Sequence, residues 1–295
     1  MSNVQSATSL GPGRGTRKNR PVFDRWTLNS RLWTMLVLIG VMFSFAGCLQ
    51  SGNDQPSPEA SKQFLKLRGY EFDEKSFLAA AAAGDVMAVN GFLAAGIDPN
   101  THEGADGDTA LMSAASRGDT QTVNALLQGG ANLNVQVRGG WTALLLALTR
   151  EQDEVASDLV ARPELDLKAQ APNGMTALML AVWHERSETA ARLLERGAEV
   201  NHRDNDGDAS LHGAAFRGNS ELVELLLDKG ADPNIKNKLG GTPLMWAASY
   251  GQEEVARLLL AKGADASIKD NSGATAAVWA EKNKRLSLAA FLRGR

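Results

Sequence analysis

From about residue 71 onward, apolar and polar residues alternate in a pattern that returns roughly every 33 positions. The marker Thr109-Ala-Leu-Met comes back as Thr142-Ala-Leu-Leu, Thr176-Ala-Leu-Met, Ala209-Ser-Leu-His, Thr242-Pro-Leu-Met and Thr275-Ala-Ala-Val, in steps of 33, 34, 33, 33 and 33 residues. Ser76-Phe-Leu-Ala lies another 33 before the first. An apolar pair keeps step with it, at Phe92-Leu93, Leu126-Leu127, Leu159-Val160, Leu193-Leu194, Leu226-Leu227, Leu259-Leu260 and Phe291-Leu292. A glycine follows most of these pairs (Gly96, Gly130, Gly197, Gly230, Gly263). Such a period predicts a stack of supersecondary units, each burying its apolar face against its neighbours.

Each unit predicts two short helices and a turn. The Ala/Leu-rich run after the Thr gives the first helix, ended by a glycine suited to a left-handed C-cap (Gly84, Gly118, Gly218, Gly251). The second carries apolar residues at helical spacing, as in Leu222, Val223, Leu226 and Leu227. Polar clusters such as Asp204-Asn-Asp-Gly207 then predict tight β-turns that project sideways. The Ala-rich first unit and the charged last one (Glu281, Lys282, Lys284, Arg285) read as caps.

These residues resemble ankyrin repeats, whose pattern runs Gly-x-Thr-Pro-Leu-His-x-Ala-Ala and then Leu-Leu-Leu-x-x-Gly-Ala-Asp-x-Asn. The resemblance implies an all-α ankyrin solenoid of about seven units over 71–103, 104–136, 137–170, 171–203, 204–236, 237–269 and 270–295. The third unit departs from it, with Arg162-Pro-Glu-Leu-Asp166 in place of the Gly-Ala-Asp turn. The motif histidine survives only as His212, where Ala209 replaces Thr.

The N-terminus follows a different pattern. Basic residues precede an uncharged run from Leu32 to Gly47, then the only cysteine, Cys48. That is the order of a secretory signal. As a helix the run spans roughly 24 Å, short of the ~30 Å hydrocarbon core, so a cleaved export signal over 1–47 fits better than a spanning segment. Phe45-Ala46-Gly47-Cys48 resembles a bacterial lipobox, although Phe45 stands where Leu is usual and the basic segment is long. The resemblance implies lipidation of Cys48, with acyl chains as an anchor, and a place in the cell envelope outside the cytoplasm. Leu49 after the cysteine leans toward the outer membrane, if a second membrane exists. An uncleaved signal anchor is the alternative. Residues 48–70 read as the lipidated segment and a tether, because the stretch after Cys48 is polar and rich in Pro, Ser and Gly.

Charge narrows the partners. Of 31 basic and 34 acidic residues, six basic and one acidic precede Cys48, which leaves the remainder at −8. A mildly acidic body argues against nucleic acid. By the resemblance, the partner is a protein client bound on the concave face of turn tips and first-helix ends. The corresponding positions place Trp141, Met175, Trp183, Phe216 and Tyr250 there, with Arg150, His184 and Arg217 beside them. Aromatics flanked by Arg make interface hot spots. Packing of some of these rings onto neighbouring helices is the other reading. Trp246 and Trp279 are expected in the core.

Candidate chemistry is sparse. The acidic turn from Asp204 to Asp208, with His202 and His212 nearby, lacks the Gly and Glu of a calcium loop and reads as an ordinary turn. No phosphate-binding glycine loop or recognisable nucleophile motif occurs. No enzyme activity, cofactor, metal or small-molecule substrate is expected. A self-associating structural protein of the envelope is the alternative to a client-binding module.

Overall fold

The computed structural model describes residues 56–104, 107–137 and 139–295. The segment 1–47, expected to be an export signal, and Cys48 lie outside the described residues. Among these, fifteen α-helices and no strands occur. The first, α1 (Pro58–Leu67), stands alone. Seven helix pairs follow: α2 (Glu74–Ala83) with α3 (Val86–Ala94), α4 (Ala110–Arg117) with α5 (Thr120–Gln128), and α6 (Ala143–Thr149) with α7 (Asp153–Val160). Then come α8 (Ala177–Trp183) with α9 (Ser187–Glu195), α10 (Ser210–Arg217) with α11 (Ser220–Asp228), α12 (Pro243–Tyr250) with α13 (Glu253–Ala261), and α14 (Ala276–Lys282) with α15 (Leu286–Arg293). The all-helical stack of paired short helices that the resemblance implies is present. No helix among the described residues is long and apolar enough to cross a membrane.

The marker threonines start the first helices by capping. The Oγ1 atoms of Thr109, Thr142, Thr176 and Thr242 accept from the backbone N–H groups of Met112, Leu145, Met179 and Met245, at 3.2, 3.3, 3.4 and 3.4 Å. Each bond satisfies one donor that a helix start leaves orphaned. Behind the caps the apolar residues pack. Leu111, Met112, Ala114 and Ala115 of α4 are buried, as are Leu222, Val223 and Leu226 of α11.

The left-handed position after each first helix falls on one column of the repeat. Gly84, Gly118, Gly218 and Gly251 occupy it with φ of 74, 76, 77 and 75°. Glu151, Glu185 and Lys284 occupy the same column at φ of 58, 58 and 62°, where a side chain is strained. Glycine also leaves room for a side chain of the next unit. Gln252 lies over Gly218 and donates to the Phe216 carbonyl at 3.1 Å. Arg117 lies over Gly84 and donates to the carbonyls of Ala81 and Ala82. Both close orphan C-terminal acceptors of the preceding helix.

The turns are linked from unit to unit. Asp204 Oδ1 accepts from the N–H groups of Asp206 and Asp208. Asn237 does the same for Leu239 and Gly241, and Asp270 for Ser272 and Ala274. Neighbouring tips join through main-chain bonds, Asn205 N–H to Asn173 C=O and Lys238 N–H to Asp206 C=O. At the other end of each unit, Asn201 and Asn234 accept from Asp232 and Asp265 N–H and donate to the carbonyls of Gly230 and Gly263. These bonds fix the spacing of successive first helices.

Residues 58–70, read from the sequence as part of a tether, are helix α1 and its exit turn. Ser57 caps α1 and Pro58 stands at its first turn. Ser61, Phe64 and Leu65 are buried, and both Phe64 and Leu65 lie against Gly91 of α3. Arg68 then pairs with Asp85 at 2.7 Å. The buried face of Ser61, Phe64 and Leu65 at i, i+3 and i+4 outweighs the polar composition of the segment.

Candidate protein-binding face

The ends of α8, α10 and α12 carry aromatic rings one repeat apart, so stacking of the units stacks the rings. Trp183 and Phe216 lie face to face, 5.2 Å between centroids and 13° between planes. Phe216 meets Tyr250 edge-on at 4.3 Å and Trp246 edge-on at 5.9 Å. Trp246 in turn stacks on Tyr250 at 6.2 Å, one helical turn later on α12. The Arg217 guanidinium sits 4.8 Å from the Trp183 ring and 5.7 Å from Phe216. Tyr250 is 48% exposed. Trp183, Phe216 and Trp246 are half-buried.

Beside this ladder, a cavity of about 220 Å³ opens between the turn of the fifth unit and helices α8, α10 and α12. Met175, Met179, Trp183 and Trp246 make its apolar walls, and Asp204, Asp206 and Asp208 its acidic side. Gly213 lines it as well, with Trp183 and Val182 at 3.7 and 3.8 Å from the place a Cβ would take. Ser210, 2% exposed, also lines it. Neither Ser210 Oγ nor Trp246 Nε1 has a hydrogen-bond partner among the described residues. Burial pushes the Asp208 carboxyl up, a hydrogen bond from Asn237 opposes, and the nearby Asp204 and Asp206 add to the rise.

His212 forms the buried end of this region. Its Nδ1 accepts from the Ala209 N–H at 3.0 Å, so the proton is on Nε2, 3.1 Å from the Gly241 carbonyl. Burial pushes the imidazole down to about 4, against the opposing pull of the Gly241 carbonyl. His212 is therefore a neutral bridge between the fifth and sixth units.

Residues 77–171 and 211–294 match the family model described as ankyrin repeats (3 copies), and 185–227 match ankyrin repeats (many copies). The chain belongs to the ankyrin-repeat family. No curated protein matches it. Ankyrin repeats are protein-interaction modules, and neither match indicates a catalytic family.

The ankyrin stack distributes the sequence-selected residues unevenly. Trp183, Phe216, Arg217 and Tyr250 converge in the ladder, and Met175 joins Trp183 at the cavity. Trp141 is half-buried in the third unit and has no ring contact with the ladder among the described residues; its backbone pairs with Val137. Arg150 is exposed at the end of α6. His184 turns to Glu151, 3.5 Å away, and Glu151 also accepts from Arg186 at 2.8 Å. Trp246 corrects the sequence reading: expected in the core, it belongs to the ladder and the cavity. Its place one helical turn before Tyr250 brings its indole to the ladder, and that i, i+4 spacing was the signal available in sequence. Trp279 is also half-buried rather than core, with Nε1–H donating to Asp270 Oδ2 at 2.8 Å. That bond, with others from Ser272 and Ala274, outweighs the upward push of burial and holds the Asp270 carboxyl at about 2.

Proposed function

We propose that the chain is a membrane-tethered ankyrin module that binds a protein client in the cell envelope. Cys48 is the lipidated residue, and the export signal over 1–47 places the repeats outside the cytoplasm. The client lies across the turn tips and first-helix ends, on Trp141, Met175, Trp183, His184, Phe216, Arg217 and Tyr250, with Arg150 at the margin. One observation supports this most: a contiguous ladder of four rings with an Arg over it, left partly open to solvent. Stacked aromatics cost little entropy to order and, with Arg, are the commonest hot-spot residues. Holding a client at the membrane surface would shield or sequester it.

The test is a cross-linked pull-down from the native envelope, comparing wild type with Trp183→Ala/Phe216→Ala. Each truncation is expected to weaken client binding by roughly 2 kcal/mol. Because both rings are half-buried, Tyr250→Ala, the most exposed rung at 48%, is run in parallel as a variant that removes less buried surface. One protein recovered with wild type and lost with both variants supports the reading. Recovery of the chain alone would replace it with self-association.

A further inference from the structure

The cavity beside the ladder has a composition that selects its occupant. We propose that it takes an arginine side chain of the protein client, with the guanidinium against Asp204, Asp206 and Asp208 and the stem against Met175, Met179 and Trp183. This rests on the client-binding role proposed for the face.

Among the described residues no Lys or Arg makes a salt bridge to these carboxylates, although the Arg203 charge lies near enough to pull the Asp208 carboxyl down. Arg203 donates to the carbonyls of Gly207 and Lys236, and Lys238 to that of Asn205. The one imidazole nearby, His212, is neutral. Asp204 holds backbone N–H groups through Oδ1, and Asp208 holds Asn237 at 2.9 Å through Oδ1. The second oxygen of each remains as an acceptor. Burial pushes the Asp208 carboxyl up and the like charges of Asp204 and Asp206 add to it, and a cation relieves that repulsion.

Size and polarity exclude other occupants. A water takes about 30 Å³, so the cavity exceeds one water, yet a folded element cannot enter it. A wholly apolar side chain would bury the carboxylates and leave Ser210 Oγ unmet. No group of three metal-ligating residues converges among the described residues. A free cation also leaves the Trp246 Nε1–H donor unanswered. A cationic side chain on a peptide supplies both needs, the charge for the aspartates and a main-chain carbonyl for the indole. The planar guanidinium carries five donors and is weakly hydrated, which suits a part-apolar site with several acceptors better than an ammonium does.

The test uses the full-length chain in detergent micelles, labelled with fluorotryptophan. Trp183→Phe and Trp246→Phe assign their two fluorine signals. The probe is N-acetyl-arginine methylamide. Its citrulline counterpart is the control, being neutral and of nearly the same shape. The arginine probe is expected to shift both signals saturably, with the control weaker by about tenfold, the worth of one charge-assisted contact. Asp204→Asn/Asp206→Asn/Asp208→Asn keeps the oxygens that accept in the turn and removes the charge. It should lose the same factor. Equal binding of the two probes, or arginine binding unchanged in the Asn variant, overturns the proposal. Should the variant misfold, the citrulline comparison still decides. A client recovered through the ladder with no arginine binding here would sink the pocket and spare the proposed role. Arginine binding with no client recovered would do the reverse.

Discussion

Glu185 shows how far a repeat position can tolerate the wrong residue. It takes the left-handed conformation that glycine supplies at Gly218 and Gly251 in the same column. Holding a non-glycine residue there costs on the order of 1–2 kcal/mol. Glycine returns part of that through a freer unfolded chain, roughly 0.4–1 kcal/mol. Its carboxylate has only a long 3.5 Å contact to Asn219 to lose. Glu185→Gly is therefore expected to raise stability by about 0.5–1 kcal/mol, read from the urea midpoint. A lower midpoint would mean that the side chain contributes more than its geometry implies. Gly218→Ala should act in the opposite direction, because it adds the strain and collides with Gln252.

Helix α1 is the element with the largest departure from its sequence reading. Phe64 and Leu65 are 1% and 0% exposed and cover α3, whose outer side would otherwise face water. Around the same end, Tyr70, Phe72 and Phe77 surround Phe92 at 5.6–6.1 Å. A ring this buried is worth about 3–5 kcal/mol on truncation. Phe64→Ala should lower unfolding stability by that order and expose the segment before Glu74 to protease. A loss below about 1 kcal/mol would show α1 to be an appendage. The element was legible in principle. Ser61, Phe64 and Leu65 share one helical face, but Pro, Ser and Gly just before them carry a tether's composition, and composition is judged over a wider window than one turn.

Over the whole molecule, acid should loosen the stack. His212 titrates at about 4 folded and near 6.5 unfolded, so between those values the unfolded chain holds more protons. Stability is then lost as pH falls from about 6.5 to about 4, by on the order of 3 kcal/mol. Asp208 acts in the opposite sense, within the carboxylate range. Urea unfolding at pH 7 and pH 4.5 should show the loss in wild type and a shallower one in His212→Gln. Equal slopes would acquit His212. The period made the architecture legible because three markers hold one phase over seven units. Register likewise predicted which helix ends carry the ladder rings. The cavity was not legible, because its walls come from three units that the chain brings together only on stacking. Register did not foresee that Trp141 stands apart from the ladder or that His184 turns to Glu151, since similar position does not fix which way a side chain turns.

The side chains that reach over the glycine column have a direction. Arg117, Gln152 and Gln252 each belong to a later unit and close the carbonyls of an earlier one. A chain that emerges N-terminus first, from a ribosome or through a translocation channel, can thus finish each of these three first helices as soon as the next unit is out. The order of synthesis and the order of completion coincide, so the window in which an open helix end can meet a wrong partner stays about one repeat long.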